Sequence, residues 1–202
     1  MKSIPIEEGK FYHIYNRGIN GCTIFNEKEN YIYFLKLYEK YIEPVAETYA
    51  WCLMKNHFHL LVYIKFESDI KTSDLLYNTV EVPKKINASS QFSHLFNSYS
   101  QAFNKKYKRT GSLFEANFER KPVENKIYFR DLIFYIHNNP VHHQITERLQ
   151  DYSWSSYGSV ISIKPTKLQR ENIIGHFDTA QNFIDYHNNK HDFNSIAGLL
   201  FD

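Results

Sequence analysis

Apolar and polar positions alternate with a period of two along Phe11-Tyr-His-Ile-Tyr-Asn16, which predicts a first strand, ended by Arg17-Gly18 and the turn residues Asn20-Gly21. The period then lengthens. Tyr31, Phe34, Leu35, Tyr38, Tyr41 and Ile42 form a helical stripe, opened by Asn26 as cap with Glu29 at the third helical position of a capping box. Two further strands, Val45 to Leu53 and His57 to Lys65, flank Met54-Lys55-Asn56, a spacing that suits an antiparallel hairpin. Phe66 to Ala88 is mixed and polar with Pro83 inside it, so an extended loop is expected there. A second helix, Ser89 to Tyr107, carries Phe92, Leu95, Phe96, Tyr99, Phe103 and Tyr107 on one face and stops at Gly111. Ser112 to Val123 alternates as a strand, with Phe114, Ala116 and Phe118 on one face. Glu124 to about Asn138 is apolar nearly all round, the mark of a helix buried on more than one side, and Pro140 is expected to close it.

The order strand, helix, strand, strand, helix, strand predicts an α+β domain. It reads as a ferredoxin-like βαββαβ core with a mostly antiparallel sheet, followed by an additional helix. The histidine-bearing third strand is then a central one. After Tyr157 the pattern loosens, with short helical stretches near Glu171 to Phe177 and Thr179 to His187. Residues 1–157 are therefore taken as the main domain and residues 158–202 as a C-terminal helical appendage.

Composition narrows the setting. With 202 residues the chain is long enough for a substantial core, and 16 Phe and 16 Tyr supply much of it. A mean hydropathy of −0.51 and the absence of any apolar run near the ~20 residues that span a bilayer argue against a membrane protein. The start Met-Lys-Ser-Ile-Pro-Ile-Glu-Glu lacks a signal peptide's apolar segment, so a cytoplasmic location is expected. Cys22 and Cys52 are too few for a disulfide framework. The net charge of +2 is only mildly basic, but Lys105, Lys106, Lys108, Arg109, Arg120 and Lys121 gather around Tyr107, Phe114 and Phe118. Cations for phosphates between rings for stacking suit single-stranded nucleic acid, although a solvated helix end followed by a core-facing strand has the same composition.

His57-Phe58-His59 carries the most chemistry. Residues two apart on a strand share a face, about 7 Å apart at the backbone, so both imidazoles sit together while Phe58 turns into the core. In a chain of 10 histidines such a pair also arises by chance. Here it interrupts an apolar, β-prone stretch, where two polar rings need a partner, and a divalent cation is one. On the buried helix Tyr128, Leu132, Tyr135 and Asn139 share a stripe, although spacing alone favours packing for Tyr135 and capping for Asn139.

Four segments stand together in order: Tyr49-Ala-Trp-Cys-Leu-Met before His57-Phe-His59, then Arg109-Thr-Gly-Ser-Leu-Phe114, Tyr135-Ile-His-Asn-Asn-Pro-Val141 and Tyr152-Ser-Trp-Ser-Ser-Tyr157. With them the chain resembles the HUH single-tyrosine transposases, and most of all their REP-associated branch, from about Phe11 to Tyr157. The resemblance implies a DNA strand transferase. In it His57, His59 and Asn139 would bind Mg²⁺ or Mn²⁺, with His137 and Asn138 close enough to compete with Asn139. Tyr135 would be the nucleophile forming a 5′-phosphotyrosine link, with Tyr128 as its rival. The substrate implied is single-stranded DNA beside a hairpin, and the exchange of one phosphodiester for another needs no nucleotide cofactor. The family includes dimers with shared active sites as well as monomers, so a homodimer stays open. For phosphates the candidates are Lys105, Lys106, Lys108 and Arg109, then Arg17 and Arg120. About four neutralised phosphates give a salt slope of roughly −3, which Lys106→Ala is expected to flatten by nearly one. A domesticated DNA or RNA hairpin-binding protein without cleavage and a metal-dependent hydrolase are the competing readings.

Overall fold

The structure, a computed structural model, describes residues 4–70 and 87–189. Most of the Phe66 to Ala88 stretch, expected as a loop, and the end of the C-terminal segment lie outside the described residues. The elements run β1 (Phe11–Arg17), α1 (Lys28–Tyr41), β2 (Ala46–Leu53), β3 (His57–Ile64), α2 (Ala88–Lys106), β4 (Glu119–Val123) and α3 (Lys126–His142). Three short helices follow, α4 (Tyr157–Ile161), α5 (Arg170–Gly175) and α6 (Ala180–Asn188). The four strands form one antiparallel sheet in the order β2-β3-β1-β4, which is the ferredoxin-like βαββαβ arrangement read from the sequence. Among the described residues no helix is long and apolar enough to cross a membrane.

Strand alternation divides the sheet into two faces. Tyr12, Ile14, Phe58, Leu60 and Val62 pack against Phe34 and Tyr38 of α1 and Phe92, Phe96 and Tyr99 of α2. Ala50, Cys52 and Leu61 look the other way, onto Phe129, Leu132, Ile133 and Ile136 of α3. Because Phe58 faces the first layer, His57 and His59 face the second. Phe58 is fully buried, its ring 5.3 Å from those of both Phe34 and Phe96. Phe58→Ala is expected to cost about 3–5 kcal/mol in urea denaturation; a loss under about 1 kcal/mol would mean the two layers do not depend on this ring.

Four sequence expectations shift. The capping box of α1 falls one residue later, because the Asn30 side-chain oxygen accepts from the backbone N–H groups of both Asn26 and Glu27, which makes Glu27 the cap. The last strand is shorter than Ser112 to Val123. Leu113 and Glu115 bond instead to the end of β1 and the turn after it, through Ile19 N–H donating to Leu113 O and Glu115 N–H donating to Arg17 O, so only Glu119–Val123 joins the ladder. Pro140 does not end α3. Its ring φ suits a helix and its missing N–H costs one bond, while the chain continues to His142 and caps through His143 N–H donating to Asn139 O. Asn139 is therefore inside the helix, fully buried.

Residues 158–189, taken from the sequence as an appendage, are built into the second layer. Val160, Ile173, Phe177 and Phe183 share one core with α3, and Gln169 N–H donates to Thr48 O of β2. A buried chain of bonds fixes this layer: His137 lies 3.0 Å from His187 and 2.8 Å from the Ser156 hydroxyl, which accepts from Trp51 N–H at 2.9 Å.

Candidate active site

The register of the central strands sets the site. His59 lies opposite Tyr15 on β1 and Cys52 on β2, Tyr15 lies opposite Glu119 on β4, and His57 pairs with Arg17. Asn125 caps α3 by accepting from Tyr128 N–H, which sets the helix to run across this face and brings Tyr135 and, one turn later, Asn139 over the histidines. The Tyr135 ring stands edge-on to His59 with centroids 5.3 Å apart. The Asn139 side-chain oxygen is 2.9 Å from His57 Nε2, and His57 Nδ1 is 2.8 Å from the Asn56 side-chain oxygen. Beside them opens a cleft of about 250 Å³ lined by Tyr15, Arg17, His57, His59, Glu119 and His143 among others. Tyr135 does not line it and is only 3% exposed.

Burial decides the charge state. His57 is pushed down to about 4 by burial, with His143 and Arg17 adding to the effect and the bond to Asn139 opposing it. His59 is held well below the usual imidazole range by burial and then by the neighbouring histidines. His13 is pushed down to about 3 by burial and then by Lys121. All three are neutral at pH 7, the form that ligates metals. The phenol of Tyr15 is pushed up by burial first, then by Glu119, Tyr128 and Tyr135.

A neutral imidazole has one N–H, yet both ring nitrogens of His57 face an oxygen. With Nε2–H donating to the Asn139 oxygen, the Nδ1 lone pair faces Asn56; with Nδ1–H donating to Asn56, the Nε2 lone pair faces the Asn139 oxygen and is open to a cation between them. The opposite orientation of the amide would have its NH₂ donate to Nε2 and leave its oxygen buried. Their 2.9 Å separation is close to the ~3 Å between adjacent ligands of an octahedral ion with bonds of about 2.1 Å. His59 Nε2 is buried without a hydrogen-bond partner, which a native structure rarely leaves unexplained. These donors fit a divalent cation. Among the described residues no group of three or more His, Cys, Asp or Glu side chains is arranged to hold a metal, so the ion would take two imidazoles and an amide and keep open positions.

The predicted residues divide. His57, His59, Asn139, Tyr135 and Arg17 come together. The competing His137 is turned away into its bonds with His187 and Ser156. Lys105, Lys106, Lys108, Arg109 and Arg120 do not line the cleft. Lys106 pairs with Glu27 at 2.6 Å, Arg109 donates to the Asn104 side chain at 3.1 Å, and Arg120 donates to the Ser89 hydroxyl and lies over the Phe118 ring. Sequence reasoning missed His13, Tyr15, Glu119 and His143. For His13 the signal was present: it is a polar ring in an apolar strand, the argument already used for His57 and His59.

Fold and cleft together define a ferredoxin-like α+β protein whose central strands carry neutral imidazoles beneath a helix bearing a tyrosine and an asparagine. It shares its fold with a solved REP-associated tyrosine transposase bound to a REP hairpin, at a TM-score of 0.58 and 15% sequence identity, over 82% of this chain and 87% of that one. Two structures of a bacterial tRNA(His) guanylyltransferase (Thg1)-like protein are more distant. The GTP complex has a TM-score of 0.43 and 9% identity over 70% of this chain and 67% of that one. The ATP complex has 0.39 and 10% over 73% and 68%. No family model and no curated protein matches the chain.

Proposed function

We propose that the chain is an HUH single-tyrosine transposase of the REP-associated kind, which cleaves and rejoins single-stranded DNA beside a hairpin. The observation that carries this reading is the convergence of His57, His59, Asn139 and the Tyr135 ring on one face of the sheet, beside an open cleft. The shared fold with a hairpin-bound transposase supports it.

In this reading the Tyr135 oxygen attacks the scissile phosphorus. A Tyr–O–P bond forms, the 3′-oxygen leaves and is protonated, and the phenol loses its proton. Attack by a new 3′-hydroxyl runs the exchange backwards and rejoins the strand. No bond energy is lost, so neither ATP nor water takes part. A phenol with a pKa near 10 is a poor nucleophile at neutral pH. Mg²⁺ or Mn²⁺ held by His57, His59 and Asn139 would supply a Lewis acid for the phosphate, undimmed by any carboxylate ligand. Arg17, at the cleft beside His57, holds a phosphate there.

The burial of Tyr135 favours a second reading, a hairpin-binding protein that does not cut. Incubation with single-stranded hairpin oligonucleotides and Mn²⁺, followed by denaturing electrophoresis, separates the two. A covalent protein–DNA adduct is expected; intact DNA would favour binding alone, and a free 5′-phosphate without adduct would favour hydrolysis. The cation assignment has its own readout. Arg17→Ala, at the cleft, is expected to flatten the salt dependence of binding by about 0.7, whereas Lys106→Ala, away from it, leaves it unchanged. The reverse pattern would move the phosphate path to the end of α2.

A further inference from the structure

His13 lies on β1, one strand over from the histidine pair, and is fully buried. Its Nε2 is 2.9 Å from Nδ1 of His59, and the two rings are stacked 5.1 Å apart at 25°. The outer nitrogens of this pair, His13 Nδ1 and His59 Nε2, are both buried with no hydrogen-bond partner. We infer that His13 is the positioning residue that fixes the tautomer and ring orientation of His59, so that His59 Nε2 presents its lone pair to the cation.

Two neutral imidazoles joined by one N–H···N bond have two arrangements. If His13 Nε2–H donates, His59 carries its own proton on Nε2, and that buried N–H points at nothing. If His59 Nδ1–H donates to His13, the lone pair of His59 is on Nε2, on a ring whose centroid lies 5.2 Å from that of His57. Either arrangement without a ligand leaves two buried polar atoms unsatisfied, at about 1–3 kcal/mol each, and an apolar pair in this core would avoid both. Only the second arrangement lets a cation relieve one of them. Metal-bound histidines almost always donate their other N–H to an outer partner that sets the tautomer. A neutral imidazole as that partner, in place of a carboxylate, leaves the ion's full charge for the phosphate.

This inference rests on the metal-binding reading proposed above, and its test separates the two. In the metal-free protein, nitrogen NMR of labelled histidines is expected to show His59 protonated at Nδ1; protonation at Nε2 overturns the inference whether or not metal binds. In Mn²⁺ titrations followed by EPR, His13→Leu is expected to weaken binding by about 10–100-fold. His13→Gln, whose amide oxygen can accept from Nδ1, is expected to stay within about threefold. Equal affinities in wild type and H13L, or an equal loss in H13Q and H13L, would overturn the positioning role. No Mn²⁺ binding by the wild type, with His59 still protonated at Nδ1, would sink the metal reading and leave the ordered histidine pair standing. Should H13L fail to fold, the wild-type NMR and the H13Q titration still decide.

Discussion

Tyr135→Phe is expected to lower covalent adduct formation with a single-stranded hairpin substrate by at least about 10³-fold while leaving hairpin affinity within about twofold. The change removes one oxygen and keeps the ring that packs edge-on to His59 and, at 6.3 Å, to His13. Loss of the adduct with retained binding would therefore report chemistry and not collapse. An adduct that survives would move the nucleophile, and the structure names the successors in order. Tyr15 lines the cleft and stands opposite His59 in the sheet, and Tyr128 lies two turns earlier on α3. Tyr135 itself is buried, so its oxygen must turn toward the cleft when DNA binds. Faster proteolysis or hydrogen exchange of α3 on hairpin binding would accompany that movement.

Stability of the metal-free protein is expected to fall steeply with acid. His13 is held down to about 3, His57 to about 4, and His59 and His137 well below the usual range, in each case by burial first. The unfolded chain protonates its histidines near pH 6.5, so below that pH it binds more protons than the folded one. The contribution of these neutral rings is therefore complete above about pH 6.5 and is lost as the pH drops toward their folded values. Between pH 7 and 5 this amounts to about 2 kcal/mol for each of these histidines that stays neutral in the folded chain, so several kcal/mol for the set. That is comparable with the whole stability of many domains. Urea denaturation in EDTA at the two pH values measures it. A difference under about 1 kcal/mol would mean that these rings take up protons without unfolding the chain.

The fold was legible wherever one face of an element is buried and the other is not. The alternation in β1 and β3 and the stripes of α1 and α2 follow directly from this, and with them the sheet order and the face on which His57 and His59 stand. What was not legible depended on partners distant in sequence. Ser112 to Phe118 alternates like a strand, but Leu113 and Glu115 bond to Ile19 and Arg17, leaving only an isolated bridge between Gly18 and Phe114. Pro140 reads locally as a stop, yet α3 is held through it by tertiary contacts that include Asn139 with His57. The basic run after α2 has the composition of a nucleic-acid surface but does not line the cleft, where Arg17 stands 3.8 Å from Glu115. Tyr15 enters the site through cross-strand register, which no local pattern in the sequence encodes, whereas His13 is marked in the sequence as a polar ring in an apolar strand.

Crystals soaked in Mn²⁺ and measured for anomalous scattering test the central geometry most directly. The account predicts a single strong peak bounded by His57 Nε2, His59 Nε2 and the Asn139 side-chain oxygen, on the side of the sheet that faces the cleft. A peak held elsewhere, or none at a concentration that supports adduct formation, would contradict it.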